Sequence, residues 1–346
     1  MRARFRPMIS VIIGTTALAT VLSAVPASAG TLDDPPTTPP KSDIVGVGAD
    51  VTQDVMGHVG GTLEKSGFSA NYNATDPAHK LWSYDVSGSA TIIPSEGCDP
   101  INRPKGTNDG ISALKADEAA GTDCIDFARS TRVKNPSTDG DLVFVPYGRD
   151  GVTWATFPTK AGGKKFYAPD NLTTSDLTGI FSCTITNWSQ VGGADKPIIP
   201  YLPGTQYGTR TFFLAAIGVP TPGGCVKQPP DLEVNNGEQI PAADRPTAIF
   251  PFSIAAYIAQ SGGASDDRRG GSVVKSIEGT KPIVKNKLNP DFAPAFLRLI
   301  FNVLKPTELT DPAFKAVFSR KGYICKHTKI TQTFGFGVLP KSSCGY

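Results

Sequence analysis

Short apolar runs of strand type alternate along this chain with segments whose apolar residues recur at helical spacing, and that alternation is its strongest constraint. Strand-like runs stand at 80–84, 91–94, 125–128, 142–147 and 152–157, after a first short strand at 43–48 that enters a glycine turn. Helical spacing is found at 53–66, 110–119, 174–181, 209–217, 252–260, 294–303 and 312–318. The interleaving argues for α/β layers. The stretch 261–271, rich in Gly, Ser, Asp and Arg, reads as a solvated loop.

The first thirty residues have the three-part layout of a secretory signal. Arg2, Arg4 and Arg6 precede a mostly apolar run at 8–25, and Ala27-Ser28-Ala29 supplies the small residues a signal peptidase requires. Gly14, Thr15, Thr16 and Thr20 break that run, which falls short of the ~20 strongly apolar residues of a spanning helix. A signal peptide at 1–29, cleaved near Ala29, is therefore expected, with an extracellular product and no later membrane insertion. No cysteine lies near the cleavage site, so no lipid anchor is expected. Residues 30–42, rich in Pro, Thr and Asp, read as a flexible tether.

Export changes the charge argument. The chain carries 34 Lys+Arg against 31 Asp+Glu, and the leader holds three Arg and no acid, so its removal leaves the two signs equal. Nothing global then points to nucleic acid or to an anionic membrane surface, and any electropositive site must be local. The remaining stretch of about 316 residues suggests two domains. Six cysteines in an oxidising compartment read as three disulfides. Metal is the competing reading, but there is no Cys-x-x-Cys, and His58, His79 and His327 are far apart. Several connectivities are open; sequential pairing, Cys98–Cys124, Cys183–Cys225 and Cys325–Cys344, is the economical one.

Four loop-to-helix junctions carry the functional argument: 46–52 (GVGADVT), 103–110 (RPKGTNDG), 126–132 (DFARSTR) and 204–210 (GTQYGTR). Each places glycines or hydroxyl residues near a helix start, where free N–H groups and the helix dipole suit an anion. Taken singly, each reads first as a helix cap and a tight turn; four in one chain, interleaved with basic residues, carry more. Gly46-x-Gly48 lacks the third glycine of a dinucleotide fingerprint, since Val51 stands there, and Asp50 would oppose a pyrophosphate. No Gly-x-Ser-x-Gly is present, and no histidine lies close in sequence to a nucleophile. No enzymatic activity and no cofactor are expected.

The order of these motifs resembles the phosphate-binding proteins of phosphate ABC transporters, within the type 2 periplasmic binding protein superfamily. The resemblance is carried by Gly46-Val47-Gly48-Ala49, Gly106-Thr107, 125–130 (IDFARS), 146–152 (PYGRDGV), Leu172-Thr173, 180–188 (IFSCTITNW), Tyr207-Gly208-Thr209 and 248–251 (AIFP). It implies two α/β lobes with a hinge, 43–157 plus 258–346 and 158–257, and a small ligand held in the cleft without being altered. Carried over by position, the family's second-loop Ser falls on Thr107, and its Gly-Thr pair on Gly208 and Thr209. Its preceding Ser falls on Tyr207, and its Thr-Phe after the first glycines on Asp50-Val51. Its pocket Asp, which accepts the ligand's proton, falls on Thr131, and an Arg on Pro203. Arg129, Ser130, Thr131, Arg132 and Arg210 lie at or beside the same loops, and the arginines are candidate oxyanion anchors. The resemblance implies capture of a phosphate-like or other anion, with an ABC permease as partner and a monomeric protein. Alternatives are a secreted scavenger or interaction protein that kept the fold without transport and, behind it, a secreted hydrolase. The substitutions imply weak or absent phosphate binding.

Overall fold

Ile44-Val45-Gly46-Val47-Gly48 forms β1 (Ile44–Gly48), a strand buried at every position, which explains its unbroken small and β-branched composition. The computed structural model describes residues 33–346; the expected leader lies outside them. After β1 come α1 (Gln53–Gly57), α2 (Phe68–Asn73) and β2 (Leu81–Ser83). The pair β3 (Thr91–Ile92) and β4 (Ile101–Asn102) precedes α3 (Thr107–Ala120) and β5 (Phe127–Ser130). The long β6 (Val143–Thr156) leads to β7 (Asn171–Leu172), α4 (Thr174–Phe181), β8 (Ile199–Pro200) and α5 (Gly208–Ala216). Next stand β9 (Ala248–Ser253) and α6 (Ile254–Gly262). Four short strands follow, β10 (Val273–Val274), β11 (Ser276–Ile277), β12 (Ile283–Val284) and β13 (Lys287–Leu288). The chain ends with β14 (Leu297–Leu304), α7 (Pro312–Phe318), α8 (Tyr323–Lys326) and α9 (Thr328–Thr333).

The central mixed sheet has the order β2-β1-β5-β14-β6-β9-β8, with β10 also on β6. β1 is parallel to β2 and β5, whereas β14 is antiparallel to both β5 and β6. Residues 143–151 of β6 pair with β14, and residues 152–155 pair with β9. The side chains divide in the same way. One set of apolar clusters gathers mainly β1, α1–α3, β5 and the C-terminal helices, and a second gathers α4, α5, β9 and their surroundings.

Four sequence expectations change. The helix expected at 53–66 ends at Gly57, and only a short turn at Leu63–Lys65 follows within that span. The runs at 142–147 and 152–157 are a single strand, because Gly148-Arg149-Asp150-Gly151 stays extended. A β-carbon on Gly148 would lie 2.9 Å from Ile300, and one on Gly151 2.7 Å from Ile254, so the glycines there admit neighbours instead of making a turn. The helix expected at 294–303 is largely β14, which from Ile300 onward is buried on both faces and therefore lacks alternation. In the expected tether, Asp33 Oδ2 lies 2.6 Å from His58 Nδ1, and Asp34 takes two hydrogen bonds from Arg103, so this end of it is packed. The three disulfides are Cys98–Cys124, Cys183–Cys225 and Cys325–Cys344, as sequential pairing requires. No helix among the described residues is long and apolar enough to cross a membrane.

Candidate functional site

Two helix starts and one strand end meet at a single point. The turn after β1 comes first: Gly48 has φ +114°, and a β-carbon on Gly110 would stand 2.5 Å from its Cα. The Gly46-x-Gly48 motif is thus a close approach between β1 and the first turn of α3, and Gly46 faces the Phe127 ring. That contact fixes the start of α3, with Thr107 as its first residue. The Thr131 N–H donates to Thr107 Oγ1 at 3.2 Å, and the two hydroxyls are 3.3 Å apart. From the other side α5 begins at Gly208, where a β-carbon would meet Thr131 Oγ1 at 2.7 Å and Thr107 Oγ1 at 2.8 Å. The Asn108 N–H reaches the Gln206 carbonyl at 3.2 Å. Thr107, Thr131, Gly208 and Thr209 are therefore brought together from residues up to a hundred positions apart, and all three hydroxyl residues are fully buried.

Beneath them lies a buried ion pair that the sequence reading did not flag. Arg298 on β14 donates to Asp150 Oδ2 through Nη2 at 2.8 Å and through Nε at 3.1 Å. Its Nη2 also donates to Thr209 Oγ1 at 2.9 Å, while Nη1 points to the Thr131 carbonyl at 3.4 Å. Asp150 further accepts from Ser253 Oγ at 2.9 Å and the Ala255 N–H at 3.1 Å, at the start of α6. One carboxylate thus ties together β6, β14 and α6, and through Arg298 reaches α5.

The expected arginine anchors are engaged elsewhere. Arg129, fully buried in β5, donates to the Gly48 carbonyl at 2.9 Å, to the Ala49 carbonyl at 3.0 Å and to Ser83 Oγ. Burial pulls its pKa down to about 10. Arg132 forms a bidentate pair with Asp139 and donates to Asn108 Oδ1 at 2.9 Å. Arg210 donates to the Pro203 carbonyl at 2.9 Å and to Gln228. Ser130 Oγ closes a local turn by donating to the Arg132 carbonyl at 2.8 Å.

Asp50 and Val51 stand apart from the threonines, at a small cavity of about 20 Å³ shared with Asp54, Glu233, Asn235, Gln260 and Arg268. That volume accommodates a water or two. Asp50 Oδ2 is buried with no hydrogen-bond partner. Burial pushes the Asp50 carboxyl up to about 7, the Val51 N–H opposing and the Glu233 charge adding to the rise. Burial also raises Asp54. Arg268 Nη1 lies 3.5 Å from Glu233 and is the one cation lining this cavity, against three carboxyls. Tyr207, almost wholly buried, has its phenol pushed up by burial and then by the charges of Asp50 and Glu233. This end of the site is acidic.

The chain is thus an α/β fold in which two helix starts converge on buried hydroxyls beside a shared carboxylate–arginine pair. The chain belongs to the PBP superfamily, whose domain matches residues 37–294. Among solved structures it is similar to a substrate-binding protein from Clostridium perfringens assigned to a phosphate ABC transporter and carrying bound phosphate. That likeness has a TM-score of 0.58 at 16% identity, covering 86% of this chain and 100% of the other. An ABC-type phosphate transport receptor from Vibrio cholerae gives 0.51 at 20% identity, covering 79% and 93%. A phosphate-binding protein from Stenotrophomonas maltophilia gives 0.51 at 13% identity, covering 86% and 91%. No curated protein matches the sequence. At these identities the likeness is one of fold, and this chain is a divergent member.

Proposed function

We propose that the protein is a secreted solute-binding protein that captures a small ligand for ABC-type uptake or sensing and does not transform it. The observation that carries this reading is the convergence of Thr107, Thr131 and Gly208-Thr209, from two helix starts and a strand end, on one buried point. Helix starts present unpaired N–H groups, and apposed ones form a natural receptor for an oxygen-rich ligand. The ligand is not expected to be inorganic phosphate held in the usual manner. The hydroxyls bond to each other, the position of the proton-accepting Asp is Thr131, and Asp50 brings a carboxylate to the first loop. Where Asp50 is ionised, above its raised pKa of about 7, it adds charge of the same sign as the ligand's. Calorimetry on the purified protein against phosphate, sulfate, phosphonates and organic acids tests the reading. A saturable heat with a stoichiometry near one for any member supports it, and none across the panel removes it. Tight phosphate binding that excludes sulfate would keep the function and overturn the ligand preference.

A further inference from the structure

A groove of about 1080 Å³ has Thr131 of the threonine junction in its lining. Its lining includes Ile111 of α3 and Phe212 of α5, and Val133 and Leu299 complete the apolar part. Val133 is 67% and Leu299 36% exposed, an unusual outlay of apolar surface beside a polar junction. Thr131 and Arg298 lie at its base, and the Arg298 guanidinium sits 5.4 Å from the centroid of the Phe212 ring.

The charges of this groove are opposite in sign to those of the inner cavity. Lys115, Arg132, Lys134 and Arg298 line it; Arg132 is paired with Asp139 and Arg298 with Asp150, so the uncompensated charge is that of the two lysines. Lys115 and Lys134 have no carboxylate partner among the described residues. An anionic group is therefore attracted to the Lys115–Lys134 end. The volume is at the upper end of small-molecule sites, far more than a lone oxyanion fills.

We propose that this groove is the outer part of the ligand site, and that the ligand is a small amphiphilic anion, an acidic headgroup carried on an alkyl or aryl body. This rests on the solute-binding reading above and narrows it. The headgroup meets the lysines and the base near Arg298, and the body lies between Ile111, Val133 and Phe212. Charge complementarity favours this occupant over a neutral apolar solute, and the continuity with Thr131 favours it over an unrelated surface.

The test is calorimetry on the full-length protein with four probes: inorganic phosphate, hexyl phosphate, acetate and hexanoate. Each hexyl probe is expected to bind at least about tenfold more tightly than its short counterpart, since several methylenes leave water. Comparing hexyl phosphate with hexanoate tells which headgroup is preferred. Val133→Asp, at an exposed position that leaves the core intact, is expected to weaken the hexyl probes at least about tenfold while its melting temperature stays unchanged. Lys134→Glu should weaken binding with either headgroup. If short anions or other solutes bind but the hexyl chain adds nothing, or Val133→Asp leaves the hexyl probes unaffected, this proposal fails and the solute-binding reading stands. If neither these probes nor the wider solute panel bind, both fail. A concentration-dependent dimer abolished by Val133→Asp would assign the groove to a second copy of the chain and overturn the proposal.

Discussion

The guanidinium of Arg298 and the carboxylate of Asp150 lie 2.8 Å apart, 148 positions distant in sequence, with neither side chain appreciably exposed. A buried pair of this kind is weak evidence of net stabilisation, because two desolvated ions offset their own attraction. Breaking it is another matter. Arg298→Met leaves Asp150 charged in the interior with only Ser253 and the Ala255 N–H as donors, and should cost about 3–5 kcal/mol. Denaturant unfolding of the variant measures this directly. A change below about 1 kcal/mol would mean that the network around Asp150 holds without its arginine.

Several buried carboxyls make the protein less stable as pH rises. Burial lifts Asp85 to about 6, Asp50 and Asp126 to about 7 and Glu308 to about 8. The folded state holds these protons more tightly than the unfolded chain, so stability falls as pH climbs from about 4 toward 8 and levels off above. Asp117 and Asp139, lowered by Lys305 and Arg132, act in the opposite sense, but only below the ordinary carboxylate range. Asp50→Asn should remove one share of the decline, at most about 4 kcal/mol for its rise of roughly three pH units. Unfolding midpoints at pH 5 and pH 8 should therefore lie closer together in the variant than in the parent. Equal spacing in both would place Asp50 in a solvated setting.

Arg129 offers a separation between structural and ligand-holding roles. Its three donors go to the Gly48 and Ala49 carbonyls in the turn that ends β1 and to Ser83 at the end of β2. Arg129→Met leaves those buried acceptors without partners, at about 1–3 kcal/mol each where water cannot enter. The ligand-free protein should lose stability by several kcal/mol. Were Arg129 a ligand anchor instead, thermal unfolding without ligand would be nearly unchanged while affinity fell.

What the sequence made legible follows from the range of the interactions involved. Apolar period located α3, α4, α5 and α7, because each is amphipathic or begins at a recognisable junction. It misread β14, where Leu297, Ile300, Phe301 and Leu304, with Phe296 just before them, mimic helical spacing in a strand covered on both faces from Ile300 onward. The lone Arg298 inside that run was the available sign of a buried charge, and Asp150 between two strand-like runs was its counterpart. Linking them requires the register of β14 on β6, which pairs Arg298 with Asp150 directly and which no local pattern encodes. The meeting of Thr107, Thr131 and Thr209 was anticipated only through motif order, since nothing in their neighbours distinguishes a shared point from three separate caps. The side chains of Arg129, Arg132 and Arg210 show the same limit: a guanidinium beside a loop reads alike whether it faces a ligand or a backbone carbonyl.

Gly208 tests whether that meeting point matters. A methyl group there would stand 2.7 Å from Thr131 Oγ1 and 2.8 Å from Thr107 Oγ1, distances that real β-carbons do not reach. The two hydroxyls belong to different elements packed against β1, so neither can withdraw as a free side chain would, and the start of α5 must back away. Gly208→Ala is expected to cost about 1–3 kcal/mol as overpacking. It should also reduce the affinity of whatever solute binds by at least about tenfold, because the hydroxyls and the helix start no longer share one position. Gly262→Ala is the matched control. It lies near the end of α6 with open space around the added carbon, and should be neutral or stabilise by up to about 1 kcal/mol. Equal effects of the two substitutions on unfolding and on affinity would show that the contact between α3, Thr131 and α5 is incidental to binding.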